Sequence, residues 1–314
     1  MGDGVDIVGV GLATLDILVR QKDLATWEHG TMASDFAFDG GGMTGTAMSA
    51  AARLGARAGY IGTVGAGIAG EIKLRSLTDR GVDVSITHRQ SAPERQVVIV
   101  NVNETDGERV FTCVNFGDKE PLILGEADRR YITSAKLLLL DGFHHVAAVQ
   151  AAKWMRQAGD PARKVVLDGT KTSGRVGEEM RELVALSDVL ICGSGFAPGL
   201  TGEKDVWKAG RAALAMGPSV VVQTEGAAGC YTVTAGAQFH TPAFKVDVVD
   251  TTGAGDVFHG AYLVGMLKGW PLEKVARFAS AVAAIKCMHL GGRAGIPTFE
   301  QTMAFLRERG ASEF

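Results

Sequence analysis

Apolar and polar positions alternate between two rhythms almost from end to end of the chain. Short apolar runs at 5–11, 59–64, 96–102, 136–141, 164–168, 188–192, 219–224 and 230–234 predict β-strands. Helical patterns fill the gaps, over 44–54, 69–80, 146–158, 177–186, 205–216, 255–268 and 272–288, and Gly55, Gly81 and Gly217 close three of them. A run as continuous as Leu137-Leu138-Leu139-Leu140 has no polar face, so both sides of its strand must be covered. The expected fold is therefore α/β: a doubly wound, mostly parallel sheet with helices on both faces. In such sheets ligands bind outside the carboxyl ends of the strands, which directs attention to the residues just after each strand.

Two segments depart from this rhythm. Residues 12–39 and 88–115 are richer in charge and alternate in the manner of antiparallel strands, and Asn103-Glu104-Thr105-Asp106-Gly107-Glu108-Arg109 has Asp-Gly at the tip of a hairpin turn. Together they predict a small β lid over one edge.

Composition narrows the function. With 32 Lys+Arg against 35 Asp+Glu in 314 residues, the net charge is −3, which gives nucleic acid nothing to bind. No apolar run approaches the roughly 20 residues of a membrane helix, and the N-terminus shows no secretory pattern. Four cysteines without ligand spacing argue against a disulfide framework or zinc, so a reduced, cytoplasmic protein is expected. Glycine is the outlier: 42 residues, against a usual share of about 7% of a chain, suggest tight turns and close backbone approach to a ligand.

The strongest chemical signal is Val249-Asp250-Thr251-Thr252-Gly253-Ala254-Gly255-Asp256, leading straight into a helix. Small residues at a helix start leave backbone N–H groups pointing outward, where the dipole favours an anion. Asp256 in the first turn could accept a proton from an attacking hydroxyl while those groups hold a transferring phosphate. Without a ligand, the same residues read as a turn that complements the dipole. Gly40-Gly41-Gly42-Met43-Thr44-Gly45-Thr46 opens another helix, and Thr224-Glu225-Gly226-Ala227-Ala228-Gly229 lies between two strands, where it also reads as a plain hairpin. No Walker-type phosphate loop occurs. Gly9-Val10-Gly11-Leu12-Ala13-Thr14 lacks the third glycine and the helix of a dinucleotide fingerprint.

In their order, these three glycine-rich motifs resemble the PfkB-type carbohydrate kinases, the ribokinase-like group. Residues 53–65, Leu200-Thr201-Gly202 and 278–287 also fall in family order, so the resemblance covers the whole chain and implies a single domain over 1–314 with the lid at about 12–39 and 88–115. The stretches 242–261 and 291–297 are closest in wording to the branch containing sulfofructose kinase. The resemblance implies Asp256 as catalytic base and Gly253, Ala254 and Gly255 as anion hole. It implies Asp16, Gly41, Gly42 and Thr46 as sugar-binding, with Thr46 standing where the family usually has Asn. Gln96, with Arg95 and Asn115, lies on the lid where it could meet substrate substituents. Thr224, Gly226, Gly229 and Ser280, with Gly255, match nucleotide-binding positions, and Asp250 and Thr252 match positions that hold a monovalent cation in some members. ATP and Mg2+ are the implied cofactors, with K+ at that last site, and a homodimer through the lid is the implied assembly.

One departure bears on magnesium. The family's NxxE element should fall at 193–196, where this chain reads Gly193-Ser194-Gly195-Phe196, leaving Asp168 as the substitute carboxylate. His144 and His145 could reach the acceptor or be solvated, and His259 reads as a packing residue. Lys171 is a spare cation for a phosphate. Only Arg95, Lys171, Arg20 and Lys22 are placed to meet an anionic sugar, so the expected acceptor is a neutral, ketose-like sugar. The expected reaction is ATP-dependent phosphorylation of a hydroxymethyl group on a small sugar or sugar derivative. The alternatives are a nucleoside kinase of the same fold and a catalytically silent sugar- or nucleotide-binding regulator.

Overall fold

The structure, a computed structural model, describes residues 4–105, 107–114, 120–170 and 175–311. The chain opens with β1 (Ile7–Val10), β2 (Thr14–Gln21), β3 (Ala33–Gly41) and α1 (Met43–Arg53). Next come β4 (Ala58–Ile61), β5 (Thr63–Ala66), α2 (Ile68–Thr78), β6 (His88–Pro93), β7 (Val97–Asn103) and β8 (Arg109–Cys113). The middle of the chain runs through α3 (Glu126–Ser134), β9 (Leu137–Leu140), α4 (His145–Gln157), β10 (Lys164–Gly169), α5 (Glu178–Leu186) and β11 (Val189–Cys192). It continues with α6 (Phe196–Thr201), α7 (Val206–Leu214), β12 (Val220–Thr224), β13 (Cys230–Thr234) and β14 (Gln238–Thr241). Three helices end it: α8 (Ala254–Leu267), α9 (Leu272–Cys287) and α10 (Phe299–Glu308).

The main sheet has the order β14-β13-β12-β11-β10-β9-β1-β4. Its strands from β4 to β12 run parallel, and β13 and β14 add an antiparallel edge. Strand alternation feeds two separate cores. Leu137 and Leu139 join the side built from α1, α8, α9 and α10, whereas Leu138 and Leu140 join the side of α4, α5, α6 and α7. Both layers are needed because all four leucines are buried, each worth about 1.5–3 kcal/mol when fully removed from water. This is the doubly wound sheet that the periodicity predicts. Among the described residues no helix is long and apolar enough to cross a membrane.

The lid sheet has the order β3-β2-β7-β8. Two expectations are corrected here. The lid is not all antiparallel, because β2 and β7 run parallel, and residues 88–93 leave it to pair with β5. The run expected as one strand over 59–64 breaks at Gly62, which is pressed against Tyr60, so β4 stays in the main sheet while β5 pairs with β6. Helices α3, α6 and α10 and strand β14 were not anticipated. The first is largely polar and buries only Asp128 and Ile132, so it carries little periodic signal.

Candidate active site

Helix α8 follows the loop after β14. Gly253, its N-cap, has φ 71°, a left-handed conformation that a side chain would strain. The Ala254 N–H bonds the Thr251 carbonyl at 3.2 Å and the Val257 N–H bonds the Gly253 carbonyl at 2.9 Å. The Gly255 and Asp256 amides are thus the first-turn donors facing out of the helix end. A Cβ built on Gly255 meets nothing within 4 Å, so the space over this terminus is open. Burial pushes the Asp256 carboxyl above its ordinary range, with nearby His259 pulling it back. A phosphate at the positive end of α8, beside a carboxyl with raised proton affinity, is what this arrangement can hold.

Facing this terminus are the residues from β2, β3 and α1. Asp16 is buried, and the Thr14 hydroxyl donates to its Oδ1 at 2.6 Å. The β2–β3 register brings Gly41 against it, so closely that a Cβ on Gly41 would stand 2.2 Å from Asp16 Oδ2. Gly42, with φ 80°, turns the chain into α1, and a Cβ there would collide with Ala13. Burial raises the Asp16 carboxyl to about 6 against the pull of Thr14 and Arg293. Thr46, in the first turn of α1, lies with its methyl 3.4 Å from where a Gly253 Cβ would be. The structure therefore joins Asp16, Gly41, Gly42 and Thr46 to the α8 terminus.

Arg293 is the residue that sequence reasoning missed. It is almost wholly buried, and its Nε donates to the Thr46 hydroxyl at 3.2 Å, its Nη1 to Ser76 at 2.9 Å and its Nη2 to the Gly41 carbonyl. The Arg293 amide donates to Asp39 at 2.9 Å. A lone arginine in the glycine-rich 291–295 stretch was the available signal. Thr46 thus shares its hydroxyl with a guanidinium, which the substitution of Thr for Asn did not reveal.

Gln96 is placed differently from expectation. Its Oε1 accepts from Lys73 at 2.6 Å and its Nε2 donates to Thr63 at 2.9 Å, so both ends of the amide tie the start of β7 to α2 and β5. Asn115 and Lys171 lie outside the described residues. Arg20 is exposed on β2 and donates to the Glu104 carbonyl at 3.4 Å.

On the nucleotide side, Thr224 ends β12 and donates to the Cys192 carbonyl at 3.3 Å. Gly226 begins a short 3-10 turn with open space above it, whereas Gly229 is packed against the Thr241 carbonyl, so its smallness serves the β13–β14 edge. Ser280, on α9, hydrogen-bonds the Cys230 thiol.

At 193–196 the aromatic side chain takes the inward position. Phe196 is buried in the core, while Gly193 and Ser194 are exposed. Asp168, the substitute carboxylate, is buried with Oδ1 3.5 Å from His259 Nε2. Among the described residues no group of three His, Cys, Asp or Glu stands ready for a metal ion. A magnesium ion brought with ATP would bind the nucleotide's phosphates, with one or two carboxylates completing its shell. His145 pairs with Glu182 at 2.9 Å and lines a cavity with Met43 and Asp141.

At Asp250 and Thr252, the expected monovalent-cation positions, the polar atoms already have partners within the chain. Asp250 Oδ1 accepts from the Thr252 amide at 2.8 Å, the Thr252 hydroxyl at 2.7 Å and Arg109 at 2.9 Å, and Oδ2 accepts from the Gly291 amide at 2.8 Å. Lys286 Nζ lies 3.9 Å from Oδ2. Two side-chain cations already face this carboxylate.

The chain is 30% identical over 288 residues to aminoimidazole riboside kinase of Salmonella typhimurium, covering 87% of this chain and 89% of that one. It is 27% identical over 310 residues to the ATP-dependent ribose-1-phosphate kinase of Halopiger xanaduensis, covering 97% and 99%. The structure of Arabidopsis thaliana ribokinase complexed with ribose and ATP superposes with a TM-score of 0.83 at 24% identity, over 97% of this chain and 99% of that one. The pfkB family of carbohydrate kinases matches residues 6–299. The chain belongs to the pfkB family of carbohydrate kinases and is an ATP-dependent carbohydrate kinase.

Proposed function

We propose that the protein phosphorylates a hydroxymethyl group of a small, neutral, ketose-like sugar, with Asp256 as base and Gly253, Ala254 and Gly255 as anion hole. The observation that carries this reading is the open α8 terminus at Gly255, with the Asp256 carboxyl in the same turn. Bound ATP supplies the phosphoryl group, with magnesium on its phosphates. The anion hole built by Gly253, Ala254 and Gly255 presents the Gly255 and Asp256 amides as its free donors, which offset the charge that spreads over the group in transfer. Asp256 takes the proton of the acceptor hydroxyl, a role suited by the raised proton affinity that burial gives it. Asp16 accepts hydrogen bonds from the sugar's other hydroxyls, and Gly41, having no side chain, leaves room for that carboxylate. Thr224 and Gly226 flank the nucleotide, and Ser280 supports that side through Cys230.

Assembly through the lid is part of the same proposal. Register and alternation put Phe36, Phe38 and Val110, each about half-exposed, on one face with Ile17, Val19 and Ile99. An apolar face of this kind on a four-stranded sheet fits a second copy of the same lid. A cytoplasmic location fits the four free cysteines.

The test is ATP consumption with a panel of neutral ketoses, sugar acids and nucleosides. Turnover of a ketose supports the reading. Turnover confined to nucleosides replaces the acceptor, and nucleotide binding without turnover of any member makes the protein a binding module.

A further inference from the structure

We propose that this kinase needs no activating monovalent cation, because Lys286, assisted by Arg109 of the lid, supplies from the chain itself the positive charge at Asp250. The proposal rests on reading 253–256 as the phosphate cradle. Lys286 stands in the last turn of α9, with no exposed side-chain surface. Its ammonium donates to the Asp250 carbonyl at 2.8 Å and lies 3.9 Å from the Asp250 carboxylate. The same helix end accepts the Val249 and Asp250 amides on its Cys287 carbonyl, at 2.8 and 3.1 Å, so the loop is gripped at its backbone and its side chain together.

From the opposite side, Arg109 Nη1 reaches Asp250 Oδ1 at 2.9 Å and the Thr251 hydroxyl at 2.7 Å. With the Thr252 amide and hydroxyl, Oδ1 receives three donors, more than its two lone pairs accommodate comfortably. A free cation entering here would have to displace the ammonium or sit beside it in a site closed to solvent, where like charges repel most strongly. The consequence reaches the chemistry through three residues of backbone. Asp250 is followed by Thr251, Thr252 and then Gly253, the N-cap of α8, so whatever holds Asp250 sets the position of the anion hole. Lys286 and Arg109 are positioning residues for that terminus.

The experiment compares the full-length protein in potassium chloride and in tetramethylammonium chloride at equal ionic strength. It reads melting temperature, ATP dissociation constant and, with the acceptor found in the panel, initial rate. The expected result for the wild type is no potassium-specific change in any of the three. A potassium-specific rise in melting temperature, ATP affinity or rate overturns the proposal. Lys286→Met is expected to weaken ATP binding in tetramethylammonium and to recover it in potassium, and if it does not fold, Lys286→Gln serves in its place. A variant that binds ATP like the wild type in both salts overturns the role of Lys286. Absence of any acceptor turnover would count against the phosphoryl-transfer reading alone, since melting and ATP affinity decide the cation question independently.

Discussion

His259 points its two ring nitrogens at two backbone carbonyls and stands 3.5 Å from Asp168: Nδ1 lies 2.7 Å from the Gly255 oxygen and Nε2 3.2 Å from the Ile191 oxygen. Carbonyl oxygens only accept, so both nitrogens face acceptors, an arrangement that favours the doubly protonated ring. Burial opposes that charge, but Asp168, Asp256 and the two carbonyls outweigh it and hold the His259 pKa above its ordinary value. His259→Leu should therefore destabilise the protein by about 1–3 kcal/mol, because Asp168, which burial already pushes up to about 7, loses the cation that pulls it down and must take up a proton to stay buried without that partner. Urea unfolding measures this. A loss of under about 1 kcal/mol would mean that the pair is not ionic.

Asp256→Asn keeps size and hydrogen bonding but cannot take a proton. The expected outcome is a fall in kcat on the order of 10² to 10⁴-fold, with ATP affinity and melting temperature close to wild type. Turnover like that of the wild type would remove Asp256 from the mechanism.

Gly255→Val separates cradle from turn. The space around a Gly255 Cβ is open, so a side chain can start there without collision and is expected to stand over the helix terminus where the phosphate is proposed to sit. Catalysis should fail while the melting temperature changes little. A sharp drop in melting temperature with normal activity per folded molecule would make Gly255 a structural residue only.

Asp16 links acceptor binding to stability. Its carboxyl rises from 3.8 to about 6 in the native state, mainly through burial, so the folded protein holds a proton that the unfolded chain releases. The stabilisation this gives is complete below about 3.8 and is lost as pH climbs through about 6. Asp16→Asn avoids the loss, and its stability margin over wild type should widen between those pH values to roughly 3 kcal/mol. The same variant should lose roughly 1–3 kcal/mol of transition-state stabilisation in kcat/KM. A stability margin that does not vary with pH would show that Asp16 is not desolvated.

The lid face predicts self-association. Sedimentation at micromolar concentration should give a dimer, and Phe36→Ser with Phe38→Ser should shift it to monomer. A wild type that sediments as monomer counts against the lid interface.

Much of the architecture is legible in the sequence because it rests on local properties. The leucines of 137–140 have no polar face, and only a strand covered on both sides can use them. The glycines at 253 and 42 start helices by turning the backbone left-handed, a property of the residue itself rather than of its neighbours. That is why both helix termini, and the carboxylate in the first turn of one, were visible before any contact was known.

What the side chains of those motifs touch was decided only by the tertiary structure. Thr46 meets Arg293 across 247 residues of chain, and Asp250 meets Arg109 across 141. Gln96 reads as a lid residue free to face a substrate until α2 brings Lys73 against it. Phe196, standing where the family's pattern has a carboxylate, fills the core. Arg293 lies near the end of the chain, Arg109 in the lid sheet and Lys73 on a helix that packs beside the lid, so none of these partners is adjacent to its motif in sequence. Motif spacing specifies the local backbone, whereas the charge and hydrogen bonds that a residue finally meets depend on which distant elements pack against it.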